Sequence, residues 1–203
     1  MRTGRVEAFS DGVVAILITI MVLELPKPDE PTWHALVADL PVLLAYVLSF
    51  VYLGISWNNH HHMFQAVSRV RGGVLWANLH LLLRLSLVPF VTAWMSEQGF
   101  ATAPVEAYGV VLLLAGVAYS ILQRVLIRTE GPGSPLAAAV GRDLKGKVSG
   151  PIYAVGILLT VVHPALGLAL YVLAAVLWFI PDRRVERQLA RQAETADHVE
   201  AAG

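Results

Sequence analysis

Three polar clusters interrupt an otherwise apolar chain. The first is Arg5-Val6-Glu7-Ala8-Phe9-Ser10-Asp11-Gly12. The second is Trp57-Asn58-Asn59-His60-His61-His62. The third comprises Trp76, Asn78, His80 and Arg84. Each lies in or against a long apolar run, where an ionisable group is costly and normally faces the protein interior or a water path. An Asp with Arg or His donors nearby stays charged and hydrogen-bonded, which makes its burial tolerable. The expectation is a polar network joining Ser10 and Asp11 to His60 or His61, Asn78 and Arg84. The histidine triplet also invites a metal reading. Successive helical residues point about 100° apart, so His60, His61 and His62 cannot converge on one ion from one helix. Two of them with Asp11 could. A structural network is the preferred reading, with proton sensing behind it, and no permanent metal and no cofactor is expected.

The sequence offers no enzymatic machinery. It contains no Gly-x-Ser-x-Gly, His-Glu-x-x-His, phosphate-binding loop or paired-carboxylate arrangement, so a membrane hydrolase is poorly supported. With no cysteine there is no disulfide, thiolate ligand or Cys nucleophile.

The elements that must position the clusters follow from composition. Of 203 residues, 56% are hydrophobic and 15% charged, against about 45–50% and about 25% in soluble domains. Mean hydropathy is +0.62. Disorder is excluded and a soluble globule disfavoured. The net charge of zero excludes a polybasic nucleic-acid binder. Six apolar runs approach the roughly 20 residues a spanning helix needs: 6–25, 36–61, 74–95, 105–127, 148–162 and 165–180. The last two are short and separated only by His163-Pro164. They read as two spans rather than a re-entrant hairpin, because the charges that follow belong on the starting side.

Those charges set the orientation. Thirteen of the 15 basic residues fall on alternate sides of the six crossings. They are Arg2 and Arg5; Arg69 and Arg71; Arg124, Arg128, Arg142, Lys145 and Lys147; then Arg183, Arg184, Arg187 and Arg191. The opposite side has Lys27 beside Glu24, Asp29, Glu30, Asp39, Glu97 and Glu106. Lys and Arg are retained on the cytoplasmic side. The fold class is therefore an all-α integral membrane protein of six transmembrane helices with both termini cytoplasmic. That topology puts all three polar clusters in one leaflet. The start mimics a signal peptide, but Asp11 interrupts it and no small-x-small site follows. It reads as a mature helix. The expected organisation is a membrane domain over 1–181 and a charged cytoplasmic tail over 182–203.

Within the first run, Ile16, Ile20 and Leu23 share one helical stripe, with Thr19 beside it. Alone, such a stripe signals only lipid or core packing. The surrounding motif adds more. Arg5-x-x-x-Phe9-Ser10-Asp11-Gly12, continued by Ala15-Ile16-x-Ile18-Thr19, resembles the signature of the transmembrane protein 175 family, the endosomal and lysosomal potassium channels and their bacterial homologues. The likeness extends to Trp57…His60-His61 and Asn78…Pro89-Phe90, covering the first three runs. Beyond them only the helix count agrees. One six-helix copy looks like the bacterial form rather than the two-repeat animal form.

The resemblance implies a homotetramer in the bacterial cell membrane, with its pore lined by the first helix. It implies a constriction at Ile16, Ile20 and Leu23, and a role for Thr19 in favouring potassium over sodium. It further implies that Arg5, Ser10, Asp11, His60, His61, Asn78 and Arg84 brace the pore helix. The implied function is passive, potassium-selective cation conduction. The partners are copies of the chain, the bilayer and monovalent cations, with no nucleic acid. A narrow aliphatic ring can gate by dewetting, and a ring of hydroxyls is a weaker filter than stacked carbonyls, so modest selectivity is expected. A secondary or proton-coupled transporter is the alternative, suggested by the intramembrane His, Asp and Arg. Carriers usually show internal repeats, and no convincing repeat is present.

Overall fold

The computed structural model describes residues 3–67, 69–140 and 144–179. The expectations placed on Arg2, Arg142, the tail from 182 and the side chain of Lys145 lie outside the described residues. Among the described residues there is helix and no strand. The order is α1 (Thr3–Leu23), α2 (Trp33–Ala38), α3 (Leu40–Gln65), α4 (Gly72–Leu85), α5 (Val88–Glu97), α6 (Thr102–Glu130), α7 (Pro135–Val140), α8 (Leu144–Thr160) and α9 (Pro164–Phe179).

Four stretches are long and apolar enough to cross a membrane: Thr3–Leu23, Leu40–Gln65, Gly72–Glu97 and Thr102–Glu130. The fifth and sixth runs are also helical, but α8 and α9 have only 17 and 16 residues. At 1.5 Å per residue they rise about 24–26 Å, short of a hydrocarbon core of about 30 Å.

Two features depart from the expected continuous runs. The third run breaks after Leu85. Pro89 has no N–H to donate, and its ring crowds the carbonyl four residues back, which belongs to Leu85. The chain turns through Ser86-Leu87, with Ser86 N–H donating to Leu82 O at 2.8 Å, and restarts as α5. A short α2 precedes α3, started by Thr32, whose hydroxyl accepts from Ala35 N–H at 3.2 Å.

α6 is the axis of the core. Val105, Tyr108, Leu112, Ala115, Ala118, Leu122 and Leu126 recur at three- and four-residue spacing and are all buried. α4 and α5 pack on one side of it, α8 and α9 on another, and α1 packs on α3, α4 and α5. Tyr171 of α9 is wedged between α6 and α8, its ring 6.0 Å from Tyr108 and 6.2 Å from Tyr153. Glycine makes that fit possible: a Cβ at Gly109 or Gly156 would strike the Tyr171 ring, and one at Gly167 would strike Thr160 Oγ1. Around this core, Trp76, Leu158, Val161, Val162 and Phe179 stand exposed. An apolar surface of that extent needs lipid or other subunits against it.

Candidate functional site

α1 has two unlike faces. Val6, Ser10, Val14, Leu17 and Met21 are buried against the bundle. Turned away from them are Arg5, Phe9, Gly12, Ile16, Thr19 and Leu23, all exposed. Ile16 is 58% exposed and Leu23 82%, while Ile20 is 39% exposed and lies nearer the packed edge. The signature motif thus divides: Arg5 and Phe9 look outward, Ser10 inward.

The inward face is held by a buried chain of side chains. Ser10 Oγ donates to Val6 O at 2.9 Å within its own helix. Its lone pair accepts from Asn78 Nδ2 of α4 at 3.0 Å. Asn78 Oδ1 in turn accepts from His60 Nε2 of α3 at 2.8 Å. One amide thereby ties three helices, and its donor and acceptor ends are both used. Ser10, Asn78 and His60 are all buried, where an unmet polar atom would be costly. His60 is further fixed by stacking on Phe64, 4.5 Å between centroids.

A second row flanks the first. His61 Nδ1 meets Glu7 Oε1 at 2.6 Å, and Gln65 Nε2 donates to His61 Nε2 at 2.8 Å. An imidazole that accepts at Nε2 donates at Nδ1, so a neutral ring satisfies both contacts. One turn along, Trp57 Nε1 donates to Asp11 Oδ1 at 2.8 Å. Residue 7 pairs with 61 and residue 11 with 57. One index climbs four as the other falls four, which is the register of two antiparallel helices.

The expected network therefore forms in part. Ser10, Asn78 and His60 come together; Asp11 and His61 stand beside them with Trp57 and Glu7 as partners. Arg84 does not join. Its Nε donates to His80 Nε2 at 3.3 Å along α4, because its position on that helix turns it away from Asn78. Arg5 is exposed on the outward face of α1. Glu7, Trp57 and Gln65 were absent from the expected network, although two facing i, i+4 pairs (Glu7 with Asp11, Trp57 with His61) signal the first two. Among the described residues no three His, Asp or Glu side chains group as a metal site requires.

Thr19 has a specific chemistry. Its Oγ1 donates to Ile16 O at 2.9 Å. The proton is committed to the helix, so the free lone pairs point outward as acceptors. Deeper in the bundle lies a separate hydroxyl cluster that the sequence did not single out. Ser49 Oγ lies 2.7 Å from Thr92 Oγ1 and 3.0 Å from Tyr108 OH, joining α3, α5 and α6.

The family described as the endosomal/lysosomal potassium channel TMEM175 matches residues 5–89. A potassium channel of Chryseobacterium sp. (strain P1-3) is 49% identical over 189 residues, 93% of this chain and 98% of that protein. The chain belongs to the TMEM175 family. A potassium channel of Streptomyces collinus is 40% identical over 63% of this chain and 66% of its own length. The crystal structure of a lysosomal potassium-selective channel TMEM175 homolog from Chamaesiphon minutus superposes with a TM-score of 0.77 at 27% identity. It covers 88% of this chain and 96% of that one. The TMEM175 match begins at Arg5 and ends at Pro89, so it contains the whole Ser10–Asn78–His60 chain.

Proposed function

We propose that the chain is a potassium-selective cation channel in the bacterial plasma membrane, a homotetramer whose pore is lined by α1. The observation that carries the reading is the asymmetry of α1. Its inward face is tied down by Ser10, Asn78 and His60, while Ile16, Thr19 and Leu23 are left uncovered on the other. One helix cannot enclose a pore, so the uncovered faces of several copies must meet around an axis, and closed rotational symmetry supplies that. The names of the bacterial relatives and the homolog from Chamaesiphon minutus support potassium as the permeant ion.

In this reading Ile16 and Leu23, with Ile20 at their edge, form aliphatic rings. Such rings offer a hydrated ion no ligands and close by dewetting. Thr19 presents oxygen acceptors between them and replaces part of the hydration shell. A single hydroxyl ring discriminates modestly. Asp11, with the buried chain, holds the rotation of α1. Six spans with both termini cytoplasmic follow from the basic residues, with α8 and α9 as two short crossings. At the opposite end Glu24 and Glu97 line a cavity of about 230 Å³, and carboxylates there draw cations toward the mouth.

Potassium flux into liposomes bearing the purified protein tests the reading. Passive, non-saturating flux is expected, and Ile16→Asn is expected to raise it severalfold because a polar ring holds water. An intact tetramer without potassium flux sinks the channel. Flux that saturates or requires a proton gradient instead supports a carrier.

A further inference from the structure

α3 has a face that turns away from α1. Tyr52, Ser56 and Asn59 on it line a cavity of about 340 Å³, lined on the other sides by α6, α8 and α9 with Arg124, Tyr153 and Trp178. Apolar side chains dominate the lining, with hydroxyls set among them. Among the described residues Arg124 is the one charged residue in the lining, and no carboxylate lines it. Arg124 is exposed and has no ion-pair partner among the described residues. The space is open: a Cβ built at Gly116 or Gly150 on its wall meets nothing within 4 Å.

An apolar cavity edged by an unpaired cation complements an amphipath with an anionic head. Basic cavities between membrane helices on the cytoplasmic side take anionic lipid headgroups. Arg124 lies near the end of α6 that carries Arg128 and Glu130, the end assigned to the cytoplasm in the topology proposed above. Trp178, whose Nε1 donates to Ser149 Oγ at 2.6 Å, suits the headgroup level where indoles collect.

We propose that this cavity holds an acyl chain of an anionic phospholipid from the cytoplasmic leaflet, with its phosphate on Arg124. The side of the membrane rests on that topology; the cavity and its charge do not. The site also reaches the pore helix. Ser56 and Asn59 adjoin Trp57 and His60 in α3, and Trp57 and His60 are the groups that hold Asp11 directly and Ser10 through Asn78. A lipid tail against one face of α3 therefore bears on the footing of α1, and occupancy regulates conduction.

The test uses the full chain, purified and delipidated in detergent, then offered phosphatidylglycerol or phosphatidylcholine and read by native mass spectrometry. Wild-type protein is expected to retain phosphatidylglycerol in preference to phosphatidylcholine. Arg124→Gln, which removes the charge, and Gly116→Leu, which fills the space, are each expected to retain severalfold less. Wild-type potassium flux is expected to depend on the phosphatidylglycerol content of the vesicles, and both variants to lose that dependence. Equal retention by wild type and both variants overturns the site. Equal retention of the two lipids overturns the role of Arg124. No retained lipid, together with loss of the oligomer in Gly116→Leu, assigns the cavity to a second copy of the chain and overturns the proposal. Retention is read without conduction, so failure of the channel reading leaves this result independent.

Discussion

Between α1, α3 and α4 the contacts that matter are made by Ser10, Asn78 and His60, flanked by Glu7 with His61 and Asp11 with Trp57. Between α6, α8 and α9 they are made by Gly109, Gly156 and the ring of Tyr171. The first set is directional. A hydrogen bond weakens steeply off its axis, so three helices joined through one amide cannot rotate freely about their own axes. The second set is steric. Small residues let helices approach closely and set their separation, but a glycine notch says little about rotation beyond the ring it admits. A helix that must present one particular face needs the first kind of tie. A supporting frame needs only the second. The division follows the family match, which covers 5–89 and stops before α6.

The steric half is most sensitive at Gly109. A Cβ there meets the tip of the buried Tyr171 ring and the Cγ1 of half-buried Ile157. Overpacking of this kind costs about 1–3 kcal/mol. Gly109→Ala is expected to lower the melting temperature of the solubilised protein by several degrees. Tyr171→Leu in the same chain is expected to recover part of the loss, because it shortens the side chain that the new methyl strikes. Flux per folded protein should stay near wild type. An unchanged melting temperature means that close approach does not hold the frame together.

Asn78→Leu tests the other half. The replacement keeps the size but strands His60 Nε2 without an acceptor and removes the donor to Ser10. Interhelical hydrogen bonds in membranes are worth about 0.6 kcal/mol on average and up to about 1.7 kcal/mol. Two are lost here, for an expected destabilisation of about 1–2 kcal/mol. The sharper expectation is in function. Freed rotation of α1 should change potassium flux per folded protein severalfold, where Gly109→Ala leaves it alone. If both variants alter flux alike, the two halves do not differ in what they control.

Much of the first half was legible in the sequence, for a physical reason. A membrane helix carries few polar side chains, and each must find a partner, so Ser10, His60 and Asn78 could be matched before any coordinates. The charges also led to an expectation that α1 and α3 run antiparallel, as the pairing of 7 with 61 and 11 with 57 has them. The frame was less legible. Gly109, Gly156 and Gly167 look like any glycine in an apolar helix until the ring opposite each is known. Ser49, Thr92 and Tyr108 meet only because three helices share one height, which depends on interhelical register. Arg84 was misdirected for the same reason: its partner depends on how α4 is rotated, and Asn78 already faces α1. Pro89 was visible, but a run judged by hydropathy alone passes over the break it forces after Leu85.

The smallest expected effect concerns Trp57 and Asp11. Trp57→Phe keeps a ring over His61, now 6.1 Å away and nearly parallel, and removes only the N–H that reaches Asp11. Asp11→Ala removes the acceptor. If that single bond is what Asp11 contributes within the chain, each variant should cost about 0.6 kcal/mol, and the double variant little more than either. Thermal unfolding of the two single variants and the double closes the cycle. Oligomer dissociation measured on the same set separates a second role. Asp11 borders the outward face of α1, and a carboxylate there can also meet a neighbouring copy. If Asp11→Ala loosens the oligomer while Trp57→Phe does not, Asp11 braces the helix from both sides. If the two variants simply add in unfolding, Trp57 is not its partner, and the second row of contacts contributes packing rather than direction.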